Sequence, residues 1–431
     1  MVQPLPASLW AASASPAPEY ATLQGEHVVD VAVVGAGYTG LSAALHLAQG
    51  GRKVAVLESS EPGWGASGRN GGQIIAGLKH DPDRLEEAWG KDLGVRISNE
   101  FGGSADLVFS LIDRYGMDCH PRRSGWIQAA HGKMAFESMI TPRCRQWAAR
   151  GIGSRLLDQA ETAALIGSSS DAYHGGWLDP RGGVLQPLSY ARGLARAAMQ
   201  EGAAIFAGAA ALKLQRSGEL WEIETAKGRL RAGRVILATN AYTGDLWRGL
   251  RRTIIPVTSF QAATKPLPPR ERASILPGGQ GVADSRRLLL YFRLDHEGRL
   301  VMGGRSPVDE APSFTDARTL QAAMSRIFPQ VGSMPLDFVW SGKVAITKDT
   351  MPHLHILAPN LYTALGCNGR GVATCTVMGR LLARLASDES ADDIPFPVTV
   401  PDPITLHGFR KLAVFTLSKY YGALDRLEAR T

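Results

Sequence analysis

Residues 30–74, DVAVVGAGYTGLSAALHLAQGGRKVAVLESSEPGWGASGRNGGQI, constrain the fold more than any other stretch. The valine-rich run 28–34 reads as a buried parallel strand. Gly35, Gly37 and Gly40 follow in the spacing G-x-G-x-x-G, with Ala36, Tyr38 and Thr39 between them. The first glycine permits a tight turn, the second lets a pyrophosphate approach the backbone, and the third lets a helix lie close on the strand. Residues 41–49 read as that helix, whose amino end offers free N–H groups and a positive dipole to phosphate. A second strand, KVAVLE, delivers Glu58 and then Ser59, where a carboxylate can bond both ribose hydroxyls of an adenosine. Glu58, in place of a small residue followed by arginine, argues against a 2′-phosphate and so against NADP. The alternative is an empty βαβ unit with glycines used only for packing.

The next stretch separates NAD from FAD. A nicotinamide dehydrogenase usually proceeds to a third βα unit. Here a second loop of small residues follows at once: Ala66, Ser67, Gly68, Arg69, Asn70, Gly71, Gly72 and Gln73. Such a loop permits backbone contact along an extended cofactor, which points to FAD; an ordinary surface loop is the alternative.

The whole chain sets the remaining bounds. Its 431 residues exceed one typical core, so two domains are expected. The net charge of +7 is scattered, without basic runs interleaved with aromatics. That suits attraction for small acidic molecules and excludes nucleic-acid binding. Cys119, Cys144, Cys367 and Cys375 lack metal-ligand spacing, so no metal site and a reducing, cytoplasmic setting are expected. The first twenty residues lack a basic start, and prolines interrupt them, so a cleaved signal is not expected. No apolar run reaches membrane-spanning length.

GAGYTGLSAALHLA, LESSEPGWGASGRNGGQ and LGCNGRGVATCTVMGRLLARLA together resemble the D-amino-acid-oxidase superfamily of FAD enzymes, and within it the gamma-glutamylputrescine oxidase group. LWAASASPAP, LLLYFRL and WSGKVAITKDTMPHL extend the resemblance along nearly the whole chain. The implied fold class is α/β, a Rossmann-like FAD-binding domain interleaved with a mixed, mainly antiparallel β-sheet substrate domain. The leader takes residues 1–27. The FAD domain takes 28–85, 185–245 and 345–395, the substrate domain 86–184 and 246–344, and a helical segment 396–431. The resemblance places Ala211 against the adenine, and Ala238, Thr239 and Asn240 near the pyrophosphate. Gly366, Asn368, Gly369, Arg370, Gly371 and Val372 fall under the flavin ring, with Gly342 on the facing strand. A helix amino end there stabilises charge developing at flavin N1/O2.

The implied reaction is oxidation of an amino-acid-derived amine, by hydride transfer to flavin N5, to an imine that hydrolyses. The electron acceptor is O2, giving H2O2, or a quinone. The acceptor and orientation come largely from cofactor and pocket, so the absence of a catalytic triad excludes a hydrolase rather than an enzyme. Tyr291 and Arg293 alternate with Phe292 on a predicted strand and share a face, where Arg293 can clamp a carboxylate. An ion-paired or solvated arginine is the alternative. Arg370 stands where family members commonly carry His; it can stabilise reduced flavin or hold a substrate carboxylate. Val344 and the His-free early loop replace the attachment residues of covalent relatives, so FAD is expected to be noncovalent. Ala373 stands where sarcosine oxidases have a carboxylate-binding lysine. Cys367 reads as a small filler without a partner. Oxidation of a secondary, cyclic or D-amino acid (pipecolate-like), or cofactor binding without turnover, remain alternatives. The C-terminal helix reads as packed on the protein, with contact to a membrane surface as the lesser reading.

Overall fold

The computed structural model describes residues 3–305 and 312–428. The first two leader residues, residues 306–311 of the expected substrate domain and 429–431 of the C-terminal segment lie outside the described residues.

Two large sheets organise the chain. In the first, strands Leu361–Leu365, Gly228–Leu237, Gly25–Val34, Val54–Leu57 and Ala204–Phe206 run parallel in that order. Their side chains alternate between two cores, as a period of two requires. Val31, Val33, Val54, Val56 and Ile236 meet the helices Tyr38–Gln49, Pro187–Gln200 and Gly371–Leu385. Ala32, Val34, Ala55, Leu57 and Val235 meet the other layer, where the hairpin Lys213–Ser217 and Leu220–Glu224 joins Gly228–Leu237 antiparallel. Burial on both faces explains why these strands read as continuous apolar runs.

Among the described residues the second sheet has eight strands. In order they are Leu336–Ile346, Ile255–Pro266, Arg299–Arg305, Tyr291–Leu294, Gly281–Asp284, Trp126–Ala130, Gly175–Asp179 and Arg155–Leu157. Only Gly281–Asp284 and Trp126–Ala130 pair in parallel, so the sheet is mixed and mainly antiparallel. One face is apolar: Ile127, Phe260, Val282, Phe292 and Met302 pack under the helix Arg318–Ile327. The alternate positions include Trp126, Gln128, Gln261, Tyr291, Arg293 and Trp340. Several of these meet the 69–73 loop: Gln261 and Trp340 donate to the Arg69 carbonyl oxygen, Trp126 to the Gln73 side chain and Arg293 to the Gly72 carbonyl.

Element existence matches the sequence reading; the boundaries differ. The glycine-turn helix begins at Tyr38, not 41, because Gly37 already takes extended backbone at the N-cap. The strand leading to Ala238, Thr239 and Asn240 is Gly228–Leu237; it stops before Asn240, which has a positive φ of 41°. After residue 82 come three helices, Pro82–Trp89, Lys91–Gly102 and Ser104–Tyr115, separated at Gly90 and Gly103. The leader is anchored rather than trailing. Its short helix Leu9–Ser13 buries Trp10, whose indole donates to the Asn70 carbonyl at 2.8 Å, while Gln186 donates to the Trp10 carbonyl at 2.8 Å.

Candidate flavin site

The carboxyl ends of the parallel strands gather most of the sequence-predicted cofactor residues at one edge, where open α/β sheets bind ligands. Gly35 has φ +102°, and a Cβ there would stand 2.9 Å from the Ala238 carbonyl oxygen. Gly40 packs on the Gly35 carbonyl so closely that a Cβ would land on its oxygen, and would also sit 3.2 Å from the Ala238 Cβ. The turn is thereby wedged between its own helix and the Ala238–Thr239–Asn240 strand end. Gly37 meets only the Ser67 hydroxyl, 3.0 Å from where a Cβ would be, and that hydroxyl accepts from the Tyr38 N–H at 3.0 Å. A small-residue cradle thus opens at a helix amino end, the shape and polarity a pyrophosphate needs.

Glu58 closes the second strand. Its Oε2 accepts from the Ala36 N–H at 2.8 Å, and its Oε1 from the Ser60 N–H and Ser59 hydroxyl, each at 3.0 Å. These bonds fix the carboxylate beside the glycine turn, with further lone pairs to receive ribose hydroxyls. The Ala209 N–H donates to the Glu58 carbonyl at 2.7 Å, so the segment running on to Ala211 crosses the end of the same strand.

A second helix tip enters the site. Gly371–Leu385 crosses the first helix in backbone contact, since a Cβ on Gly379 would meet the Ser42 Cβ at 2.6 Å. The Ser42 hydroxyl donates to the Thr376 carbonyl at 2.7 Å. From that crossing the second helix runs on toward Gly371 by about 10 Å at 1.5 Å per residue. The two amino termini are therefore spaced along one groove. The turn before the second tip is rigid: Asn368, with φ 48°, accepts from the Thr347 N–H at 3.1 Å and donates to the Gly366 carbonyl at 2.7 Å, and Gly366 donates to the Asn240 side chain at 2.9 Å. Gly369 has φ +89° and open space beyond it, and Val372 is buried. Gly342 of the second sheet abuts Arg69, whose Cβ would lie 3.1 Å from a Cβ there.

Several predicted residues act within the scaffold. Asn70 ties its own loop, donating to the Ser67 carbonyl at 2.8 Å and accepting from the Gly72 N–H at 2.8 Å. Arg69 stacks on Trp64, its Cζ 4.2 Å from the ring centre, and donates to the Trp64 carbonyl at 2.8 Å. Gln73 is buried, accepting from the Trp126 indole at 2.9 Å and donating to the Val282 carbonyl at 2.9 Å. Gly71 lies against the Tyr291 ring, whose hydroxyl pairs with the Ser259 hydroxyl at 2.9 Å; burial raises that phenol to about 12.

Arg293 shares the face of Tyr291, but it is neither solvated nor ion-paired. Only 4% exposed, it donates to the Gly72 carbonyl at 3.2 Å and stands over Trp10, 4.8 Å from the ring centre. Burial lowers its pKa to about 10. It braces loop against leader, and a substrate carboxylate cannot reach it without displacing one of them.

Arg370 is the arginine that faces accessible space. Its Nη1 donates to the Ala76 carbonyl at 3.0 Å, and the guanidinium stands 5.9 Å from the centre of the Trp126 ring. Burial and then Arg143 push its pKa down to about 9. Trp126 and Trp147 stand beside it and belong to one apolar cluster with Ile75, Trp177 and Ala283. Two features were missed from sequence. Lys79 faces Arg370, and burial among protein atoms, Arg370 and Arg143 lower it to about 8. Cys367 is not isolated: its sulfur and that of Cys375, inside Gly371–Leu385, both lie within 4.0 Å of where a Cβ on Gly371 would stand. The neighbouring Cys375 holds the Cys367 thiol below the ordinary range, while Cys367 and then burial hold Cys375 above it. Within the described residues, no helix is long and apolar enough to cross a membrane.

The residues present fit FAD: a glycine cradle, a fixed acid at a strand end and two helix tips along one groove. Residues 30–385 match the model of the FAD dependent oxidoreductase family, DAO. The probable oxidoreductase OrdL of Haemophilus influenzae is 33% identical over 94% of this chain and 93% of its own. The gamma-glutamylputrescine oxidoreductase of Escherichia coli is 32% identical over 97% of this chain and 98% of its own. Among solved structures, glycine oxidase from Geobacillus kaustophilus superposes with a TM-score of 0.73 at 23% identity, covering 86% of this chain and 99% of that one. The chain belongs to the DAO family of FAD-dependent oxidoreductases, enzymes that act on amines, and its cofactor is FAD.

Proposed function

We propose that the protein oxidises a primary amine whose other end carries a carboxylate, gamma-glutamylputrescine being the foremost candidate, in polyamine catabolism. The observation that carries this reading is near full-length similarity to gamma-glutamylputrescine oxidoreductase, joined to the outward guanidinium of Arg370 beside an apolar wall. Bound FAD, held without a covalent link, supplies the two-electron acceptor at the reacting C–H bond.

In this reading Gly35, Gly37 and Gly40 seat the pyrophosphate, Glu58 the ribose, and the segment through Ala211 flanks the adenine. Gly369, Gly371 and Val372 present backbone N–H groups to the pyrimidine edge. The residues contributing to the first sheet and its helices form the cofactor domain; those contributing to the second sheet form the substrate domain. Trp126, Trp147 and Tyr291 exclude water and hold the methylene chain, and Arg370 orients the acidic end. The amine binds uncharged, and the oxidised carbon leaves as an aldehyde once water has released ammonia. Dioxygen is the electron acceptor and peroxide the second product.

Anaerobic mixing with a panel of amines tests this. Gamma-glutamylputrescine should bleach the yellow enzyme, and in air peroxide should accumulate with aldehyde. Bleaching by pipecolate, sarcosine or a D-amino acid, with gamma-glutamylputrescine inert, would refute the substrate. Bleaching without peroxide in air would refute dioxygen and favour a quinone.

A further inference from the structure

We propose that Lys79 is a substrate-binding residue, its ammonium and the free edge of the Arg370 guanidinium together receiving the carboxylate of the substrate. This rests on the amine-oxidase reading above and adds to it the second half of an anion site.

The argument begins with charge. Four cations, Lys79, Arg143, Arg181 and Arg370, crowd this end of the groove, together with two carboxylates, Asp81 and Asp179. Both carboxylates are consumed. Asp81 takes Arg143, at 2.6 Å from Nε and 3.2 Å from Nη2. Asp179 takes Arg181, at 2.9 Å from Nε and 2.7 Å from Nη2. Among the described residues no carboxylate is left for Lys79 or Arg370, and the one other acidic group facing Lys79 is the Cys367 thiol, so positive charge is in excess.

The geometry is that of an open clamp. The Lys79 carbonyl accepts from Arg143 at 3.3 Å, which fixes the backbone. The Lys79 side chain makes no hydrogen bond or ion pair with the described residues. It is solvent-accessible yet crowded by protein, as on the wall of a cleft. Arg370 spends one N–H on Ala76 and is half-buried, with the rest of its fork directed at no protein acceptor among the described residues. The facing groups are Arg370 at the helix tip, Arg143 on the helix Thr141–Ala149, and the Cys367 thiol in the glycine turn. A carboxylate entering there gains charge-assisted bonds to both cations and relieves their mutual repulsion.

The other role open to a lysine here is proton acceptor for an ammonium substrate. That would bring a cation among unneutralised cations, which the field opposes.

The test uses FAD-loaded enzyme and glutarate, a diacid that cannot be oxidised as an amine, with its neutral diamide as control. Calorimetry should show glutarate binding and the diamide failing to bind comparably. Lys79→Met should weaken glutarate by about tenfold or more, the scale of one charge-assisted bond. Lys79→Arg should stay within about threefold. With gamma-glutamylputrescine, Lys79→Met should raise KM while kcat stays within about threefold. Wild-type affinity for glutarate should fall as pH climbs through about 8, where Lys79 loses its proton, and Lys79→Met should lack that fall. Equal binding of diacid and diamide, or a Lys79→Met enzyme with wild-type glutarate affinity, would overturn the proposal. If Lys79→Met fails to fold, the diamide comparison and the wild-type pH profile still decide it. Glutarate binding through Lys79 in an enzyme that oxidises no amine of the panel would sink the amine reading and leave the anion site standing.

Discussion

Two alanine substitutions in one turn separate packing from cofactor binding. In Gly40→Ala the new methyl would land on the Gly35 carbonyl oxygen, with the Gly35 carbonyl carbon at 3.1 Å and the Ala238 Cβ at 3.2 Å. The oxygen and carbon belong to backbone, so no rotamer relieves the clash and the helix must lift from its strand. Overpacking of this kind costs about 1–3 kcal/mol, and rigid neighbours put Gly40→Ala at the upper end or beyond. At about 2–4 °C per kcal/mol for a unit of this size, the apo protein should lose about 6–12 °C of apparent Tm. Gly37→Ala is different. Its φ is −84°, which alanine tolerates, and its only neighbour within ordinary contact is the Ser67 side chain, which can rotate. Apo stability should change by less than about 1 kcal/mol. FAD affinity should nonetheless fall at least tenfold, because the methyl occupies the approach of the pyrophosphate. The assay pairs thermal unfolding of apo protein with flavin-fluorescence titration of FAD. An unchanged Tm in Gly40→Ala would refute the packing account. Wild-type FAD affinity in Gly37→Ala would move the pyrophosphate away from this turn.

Three further outcomes are expected. Glu58→Ala should weaken FAD by about 1–3 kcal/mol in the same titration, and should also lower Tm because the Ala36 and Ser60 N–H groups lose their acceptor; unaltered affinity would place the ribose elsewhere. Arg293→Ala should lower Tm by several degrees by unbinding Trp10 from Gly72, with little change in substrate KM once FAD is saturating; a raised KM at unchanged Tm would restore Arg293 to substrate binding. His355, buried and bonded to the Thr399 carbonyl at 2.7 Å, is held by burial at about 4, below its ordinary 6.5. The unfolded chain therefore binds more protons between those values, and stability should fall as pH drops from about 6.5 toward about 4. His355→Gln should flatten that slope in urea titrations; an equally steep slope would assign it to other groups.

The parts legible in sequence are those whose physics is local. Gly35, Gly37, Gly40 and Glu58 sit within one βαβ unit, and the requirement for each comes from neighbours a few residues away. The alternation of Tyr291, Phe292 and Arg293 fixed their faces correctly, yet not what the faces meet. Arg293 finds Trp10 and Gly72, from segments far off in the chain, so its use as a brace had no local signal. Gln73 resembles a cofactor contact by position, but its amide is spent on Trp126 and Val282. Lys79 carries no motif; its meaning comes from charges on other elements. The Cys367–Cys375 contact was within reach, since a turn leading into a helix can bring such a pair together.

The leader helix has a consequence for how the chain is assembled. Trp10 is held by Asn70, Gln186, Arg293 and the edge of Trp340, partners synthesised at widely separated times. This helix, synthesised well before Gln186, Arg293 and Trp340, is thus among the last elements to dock, and contacts of such long range slow folding. A bulky fusion or a few deleted residues at this end would act like a missing keystone, loosening the flavin loop from beneath while every residue that touches the cofactor remained intact.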